Sequence, residues 1–281
     1  LRYGCNKVTA LKAFDLLSEG GLVENHVGSG SFVCFPTVPT DGEGDFSAAR
    51  LSEDFFPYEE AGALLAGILA KARGRVFSAS PTRGEEGLLS ALARRFSLPE
   101  ASLIVTSGGL QGLDLCRRLF SGRLGPGAKD EPRILVEEPC FPSALTLFRP
   151  QASLPLGPEG PDPAALGAFF APGQAKGGQS SVFYAVPDVH NPTGRRYSEA
   201  TKREIARLAR ELEVWIVEDD YLSELEPSGI PRFIDLVPER TIWIKSLSKT
   251  TAPGIRLGAL CAPPALRPRL EALKAEVDTG P

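Results

Sequence analysis

From about residue 54 onward the chain alternates short, wholly apolar runs with longer segments whose apolar positions recur every three or four residues. SLIVTS (102–107), RILVEE (133–138), SVFYAV (181–186), VWIVED (214–219) and TIWIKS (241–246) show no alternation of apolar with polar positions, the pattern of strands buried on both faces. Between the third and fourth runs, EATKREIARLARELE places Ile205, Leu208, Ala209 and Leu212 on one helical stripe. This alternation predicts a doubly wound, mostly parallel α/β sheet over 54–281. Residues 1–36 follow a different rule. Val8, Leu11, Phe14 and Leu17 recur at helical spacing between Asn6 and Glu19, and Gly20-Gly21 stops the helix. LVE (22–24) and SFVCF (31–35) then flank the loop NHVGSG, so a helix followed by a small hairpin is expected. Residues 37–53, rich in Pro, Gly and small polar residues, read as a linker.

Composition narrows the setting. With 281 residues, 42% hydrophobic and 23% charged, the chain can bury one large core or two smaller ones. Its longest apolar stretch, AGALLAGILA (61–70), is too short to span a bilayer, and the N-terminus lacks a signal-peptide pattern. The cysteines at 5, 34, 116, 140 and 261 form no CxxC pair and no metal-ligand spacing, and their odd number argues against a disulfide framework. A reducing cytoplasm without membrane attachment is therefore expected, with no metal. Methionine is absent even at position 1, which suggests a fragment lacking its true N-terminus. A net charge of −4 gives no general attraction to nucleic acid, so any DNA contact must be local.

In sheets of this class ligands bind beyond the carboxyl ends of the strands. After SVFYAV comes PDVHNPTG, after VWIV comes EDDYLSEL, after TIWI comes KSLSK, and after SLIV comes TSGGLQGLDL. An asparagine, an acid pair with a tyrosine, a lysine and a glycine-rich helix start are thus sent to the same rim. SKTT is not the end of a P-loop, which needs glycine where Ser248 and Trp243 stand. A helix N-terminus binds phosphate, and Arg256 with the Ser246 and Ser248 hydroxyls could complete such a cradle. Lys249 is an amine suited to Schiff-base formation with an aldehyde. An acid at the neighbouring strand end can keep a pyridine nitrogen protonated. Phosphate, aldehyde and pyridinium together describe pyridoxal 5′-phosphate (PLP).

VTSGGLQGL, PDVHNPTG, EDDY and SLSKTTAPGIRLG, in this order along the chain, resemble the fold-type I PLP-dependent aminotransferases of class I and II. NKVTALKAFDLLSEGGLVENHVGSGSFV resembles the second half of a GntR-type winged helix-turn-helix, a recognition helix followed by a wing. Joined, the two resemble the MocR family of regulators. The resemblance implies that Lys249 carries the cofactor as a Schiff base and that Asp219 pairs with the pyridine nitrogen. Asn191 and Tyr221 would bond the phenolate oxygen, and Phe141 would stack on the ring. The Gly109 and Leu110 amides, Ser246, Ser248 and Arg256 would hold the phosphate. In the N-terminal module Asn6, Lys7 and Thr9 would meet operator DNA in the major groove. A homodimer and an amino acid or amine ligand are implied by the family.

Two departures stand beside this. Phe141 and Phe77 replace the family's common tyrosines, and the chain stops at LKAEVDTGP, where the family continues into a C-terminal small domain with the arginine for the substrate carboxylate. The leading expectation is a PLP-binding MocR-type transcriptional regulator; the alternative is an active aminotransferase working on an amino acid and a 2-oxo acid. A dinucleotide-binding oxidoreductase is a further possibility on Gly108, Gly109, Gly112 and Glu138, but the order is GGxxG, not GxGxxG, and it leaves Lys249 unused. His190 is expected to be a packed loop residue, and His26 a solvated one.

Overall fold

The computed structural model describes residues 7–19, 22–26, 30–33, 56–78, 80–121, 131–172, 179–225 and 227–278. The chain divides into two units, Leu1–Ala49 and Arg50–Pro281. In the first, α1 (Lys7–Glu19) is followed by β1 (Val23–His26) and β2 (Gly30–Val33). The strands pair antiparallel, with Val23 opposite Val33 and His26 opposite Gly30. The Leu22 amide donates to the Leu17 carbonyl at 2.9 Å and closes the helix end. The helix-then-hairpin order expected from the pattern is present, but its apolar stripe is not covered: Val8 is 63% exposed and Leu11 53%, with Phe14 and Leu17 also exposed. Asn6, residues 27–29 of the expected loop and the expected linker 37–53 lie outside the described residues.

The second unit begins with α2 (Tyr58–Ala72), none of whose residues is buried, and a 3-10 turn over Arg73–Phe77. The segments after it carry α3 (Glu86–Phe96), β3 (Leu103–Thr106), α4 (Gly109–Phe120), β4 (Arg133–Glu138) and α5 (Pro142–Phe148). Next come β5 (Ala152–Gly157), β6 (Gly160–Pro161), α6 (Pro163–Phe170), β7 (Ser181–Ala185) and α7 (Glu199–Glu211). The chain then forms β8 (Val214–Asp220), α8 (Phe233–Leu236), β9 (Thr241–Ser246), β10 (Gly258–Cys261) and α9 (Arg267–Ala275). All five wholly apolar runs are strands.

The eight strands order as β3-β10-β9-β8-β7-β4-β5-β6. β9, β8, β7, β4 and β5 run parallel, whereas β10 is antiparallel to both β9 and β3. Two antiparallel steps restore direction, so β3 points the same way as β9. Side chains alternate across the sheet and build two separate faces. Ile104, Val136, Tyr184, Val217, Ile244 and Leu260 pack with α4, α5 and α9 on one face. Leu135, Phe183 and Ile216 meet α6 and α7 on the other, where Val105, Trp243 and Ala259 meet α3. Both faces are covered by helices, the layering that buries a parallel sheet.

Candidate functional site

The topology decides which strand ends share a rim. The carboxyl ends of β3, β9, β8, β7 and β4 all open on one edge, and β10, running backwards, begins there. Arg256, two residues before β10, is therefore delivered to the same edge as Ser246 and Lys249 at the end of β9. The chain makes this return between Leu247 and Leu257 with a 3-10 turn at Pro253–Ile255, after which Arg256 takes a left-handed φ of 55°.

Arg256 and the start of α4 form a cradle. Its Nη1 donates to Ser248 Oγ at 3.4 Å and its Nη2 to the Ser107 carbonyl at 3.5 Å. The Ser248 amide in turn donates to Ser246 Oγ at 3.4 Å. Gly108, the residue before α4, has a φ of 80°, and a Cβ there would lie 2.6 Å from Arg256 Nη2. Only glycine permits both that backbone and that approach. A Cβ on Gly112 would come within 2.8 Å of Ile244 Cγ2, so this glycine seats α4 on β9. The Ser107 amide is held by Gln111 Oε1 at 2.7 Å, which leaves the Gly109 and Leu110 amides at the open start of the helix. A helix N-terminus, a guanidinium and two hydroxyls are the donor set for a phosphate.

At the end of β8 three consecutive acids part company. Asp220 faces α3's side of the sheet, where it accepts from Lys245 Nζ at 2.8 Å, Trp243 Nε1 at 3.2 Å and Ser223 Oγ at 2.7 Å. Glu218, on that side too, accepts from the Phe233 and Ile234 amides at 2.9 and 3.0 Å and holds α8. Asp219 alone faces α4 and α5, buried, accepting a hydrogen bond from the Tyr184 hydroxyl at 2.8 Å. Burial, with Asp220 and Glu137 adding negative charge, pushes its carboxyl up to about 7. Phe141 and Tyr221, both half-buried, pack against the same cluster as Tyr184. Burial and the charge of Asp219 raise the Tyr221 hydroxyl above its ordinary value.

Asn191 opens the turn beyond β7, on a loop pinned from below. Glu137 at the end of β4 accepts from the Val186 amide at 2.9 Å and from the Tyr197 hydroxyl, and lies 3.4 Å from His190 Nε2. His190 Nδ1 sits 2.9 Å from Thr193 Oγ1, within the turn. Asp188 takes Lys202 Nζ at 2.7 Å and Arg196 Nε at 3.2 Å. His190 is thus the packed loop residue expected of it. The two lysines near β9 also separate: Lys245 is fully buried and bound to Asp220, whereas Lys249 is partly buried in the turn on the rim.

The residues singled out in the second unit are thus brought to one edge. Those in the first unit divide. Thr9 is exposed on α1 and Lys7 begins that helix, while Asn6 is outside the described residues. Sequence reasoning missed the supporting layer of Glu137, Tyr184, Asp188, Lys202 and Asp220. A signal existed for Lys202, which falls on the apolar stripe of α7 three residues before Ile205, and for Glu137, a charge at the end of an otherwise apolar run.

The aminotransferase class I and II family matches residues 174–277, the stretch that contains Asn191, Asp219, Lys249 and Arg256. Residues 174–277 are thus similar to an aminotransferase class I and II domain. The fold is similar to that of the α-aminoadipate aminotransferase LysN from Thermus thermophilus, solved with N-(5′-phosphopyridoxyl)-L-leucine. The TM-score is 0.72 at 27% identity, over 83% of this chain and 59% of that one. The fold-type I sheet expected from the sequence is therefore the one present. Over nearly the whole chain, 97% of it, the sequence is similar to the uncharacterized HTH-type transcriptional regulator YcxD of Bacillus subtilis, at 28% identity and across 62% of that protein. Aromatic-amino-acid aminotransferase 1 of Thermococcus litoralis is 31% identical over 79% of this chain and 55% of its own length. The chain thus spans roughly three-fifths of the curated relatives it matches.

Proposed function

We propose that this chain belongs to a PLP-binding transcriptional regulator of the MocR type, in which the aminotransferase-like domain senses an amino acid, an amine or the cofactor itself. The observation that carries the reading is the meeting of Arg256, Ser248 and the Gly108–Gly109 helix start at the rim where Asp219 and Lys249 also end. The residues fit the group. A Cβ on Gly108 would collide with the guanidinium, and Asp219 is a buried carboxylate for which no described residue provides a directly bonded cation. Arg256, Ser246, Ser248 and the Gly109 and Leu110 amides bind the phosphate. Lys249 Nζ would be the amine for the aldehyde carbon, Asp219 would keep a proton at the pyridine nitrogen, Asn191 and Tyr221 would bond the phenolate oxygen, and Phe141 would pack against the ring. When bound, PLP supplies an electron sink for a substrate's α-carbon.

Support for DNA as partner comes from the regulator relatives together with α1 and its hairpin, with Asn6, Lys7 and Thr9 as the base-facing residues. Support for a homodimer comes from α2, a helix apolar around much of its circumference yet uncovered in its own unit. No described helix is long and apolar enough to cross a membrane, and the cytoplasm is the compartment we assign. A second reading, turnover as an aminotransferase on an amino acid and a 2-oxo acid, is favoured by the similarity to the Thermococcus enzyme.

One experiment tests the shared core and a second divides the readings. Purified protein mixed with PLP develops a visible absorbance band, and borohydride fixes the cofactor onto Lys249. A label on Lys245 or any other lysine overturns the site. Repeated transfer between an amino and a 2-oxo acid selects the enzyme. Retention of the protein on its own upstream DNA, weakened by Lys7→Ala with the absorbance band unchanged, selects the regulator.

A further inference from the structure

We propose that Tyr184 is the positioning residue of the site: its hydroxyl occupies one oxygen of Asp219 and keeps the other for the cofactor's pyridine nitrogen. The proposal rests on the cofactor reading above. Tyr184 leaves β7 on the face that packs against α4 and α5, and Asp219 leaves the adjacent β8 on the same face. The hydroxyl donates to Asp219 Oδ2 at 2.8 Å, and among the described residues no other side chain bonds that carboxylate. Tyr184 is fully buried and its ring is wedged against Phe148, with centroids 5.5 Å apart, so the hydroxyl has little freedom to seek another acceptor.

The surroundings explain why such a donor matters. Glu137 at the end of β4 and Asp220 beside Asp219 oppose its negative charge, and Lys245 from β9 is committed to Asp220. A neutral O–H donor stabilises the ionised carboxylate without adding a cation that would compete with the pyridinium. Burial and the nearby Asp219 raise the Tyr184 hydroxyl well above its ordinary value, so it stays a donor. A phenol is thus suited to orient the acid while leaving its charge to be answered by the ligand.

The test uses PLP carrying ¹⁵N at the pyridine position, bound to the parent, to Tyr184→Phe, to Asp219→Asn and to the double variant. Tyr184→Phe should bind PLP roughly tenfold more weakly, the size of one hydrogen bond to a charged group, and move the ¹⁵N resonance toward that of an unprotonated pyridine. In the Asp219→Asn background the same change should add nothing. An unmoved resonance in Tyr184→Phe, or an equal loss in both backgrounds, overturns the proposal, since a purely structural tyrosine gives that result. If Tyr184→Phe does not fold, difluorotyrosine at 184, a stronger donor, should move the resonance toward the protonated value, and no movement overturns the proposal. Failure of the cofactor reading is distinguishable: no borohydride label on Lys249 sinks both, whereas a normal label with an unmoved resonance sinks only the role of Tyr184.

Discussion

At Glu218, Asp219 and Asp220 the pleat of a strand assigns roles that side-chain chemistry alone leaves equal. Only the middle acid reaches the face that meets the cradle, because its neighbours turn to the opposite side and are consumed by the α8 amides and Lys245. In the proposed cofactor site Arg256 and Asp219 would have separable duties. A phosphate contact is equally present before and during any reaction, so Arg256→Ala should weaken PLP binding by about tenfold to a hundredfold while sparing chemistry at saturation. Asp219→Asn should instead slow α-proton exchange of a bound amino acid far more than it weakens PLP. Titrating PLP and then following exchange at saturating cofactor separates the two, and equal effects in both variants would contradict the division. A second consequence concerns pH. In the folded protein burial lifts Asp219 and Glu218 each to about 7, from 3.8 and 4.5. The folded form then retains protons that the unfolded chain has released, so the stability these acids contribute is greatest below their unfolded values and declines as pH rises to about 7. Urea midpoints of the cofactor-free protein at pH 5 and pH 7 should show this decline, and Asp219→Asn should reduce it; an unaltered slope in the variant argues against the shift.

The elements show what a sequence exposes and what only folding supplies. Runs such as TIWIKS are legible because a strand covered on both faces needs no polar side, and all five became strands. β5 was not legible: it alternates buried and exposed positions and carries Pro155. Nor was β10, four residues of modest apolarity whose place between β3 and β9 is fixed by pairings with two distant segments. The residues of the cradle were readable as polar groups following apolar runs, whereas Tyr184 and Asp188 resemble ordinary strand and loop residues until their partners are adjacent. Glu137 illustrates the cost of losing such a partner. Glu137→Ala would leave the Val186 amide and the Tyr197 hydroxyl buried without their acceptor, a loss of about 3 kcal/mol or more. Because these groups underlie the Asn191 turn, the PLP absorbance band should also change, while Arg203→Ala on the exposed side of α7 should alter neither. Thermal unfolding with and without PLP checks both statements.

For the whole molecule, α2 is the feature that its own unit does not account for. Leu64 is 67% exposed, Leu65 61%, Ile68 51% and Leu69 47%, an apolar surface larger than scattered exposed residues would give. Phe77, just beyond it, is 84% exposed. In the proposed homodimer this surface lies against a second copy. Leu65→Glu combined with Ile68→Glu should therefore shift the protein from dimer to monomer in sedimentation, and an unchanged mass would remove α2 from the interface.

The reversal of β10 confines Ser246, Ser248, Lys249 and Arg256 to one continuous passage from β9 to β10. That passage contains two sites for trypsin, after Lys249 and after Arg256, and Arg256 is exposed. A protease must open the segment before cutting it, and a ligand that binds only the closed segment lowers the open population by the factor one plus the ratio of ligand concentration to Kd. At a PLP concentration one hundred times its dissociation constant, cutting at these bonds should slow by about a hundredfold, with cleavage elsewhere in the chain little changed. The cofactor would thus determine how long this segment survives intact, and digestion followed by mass spectrometry reads that lifetime directly.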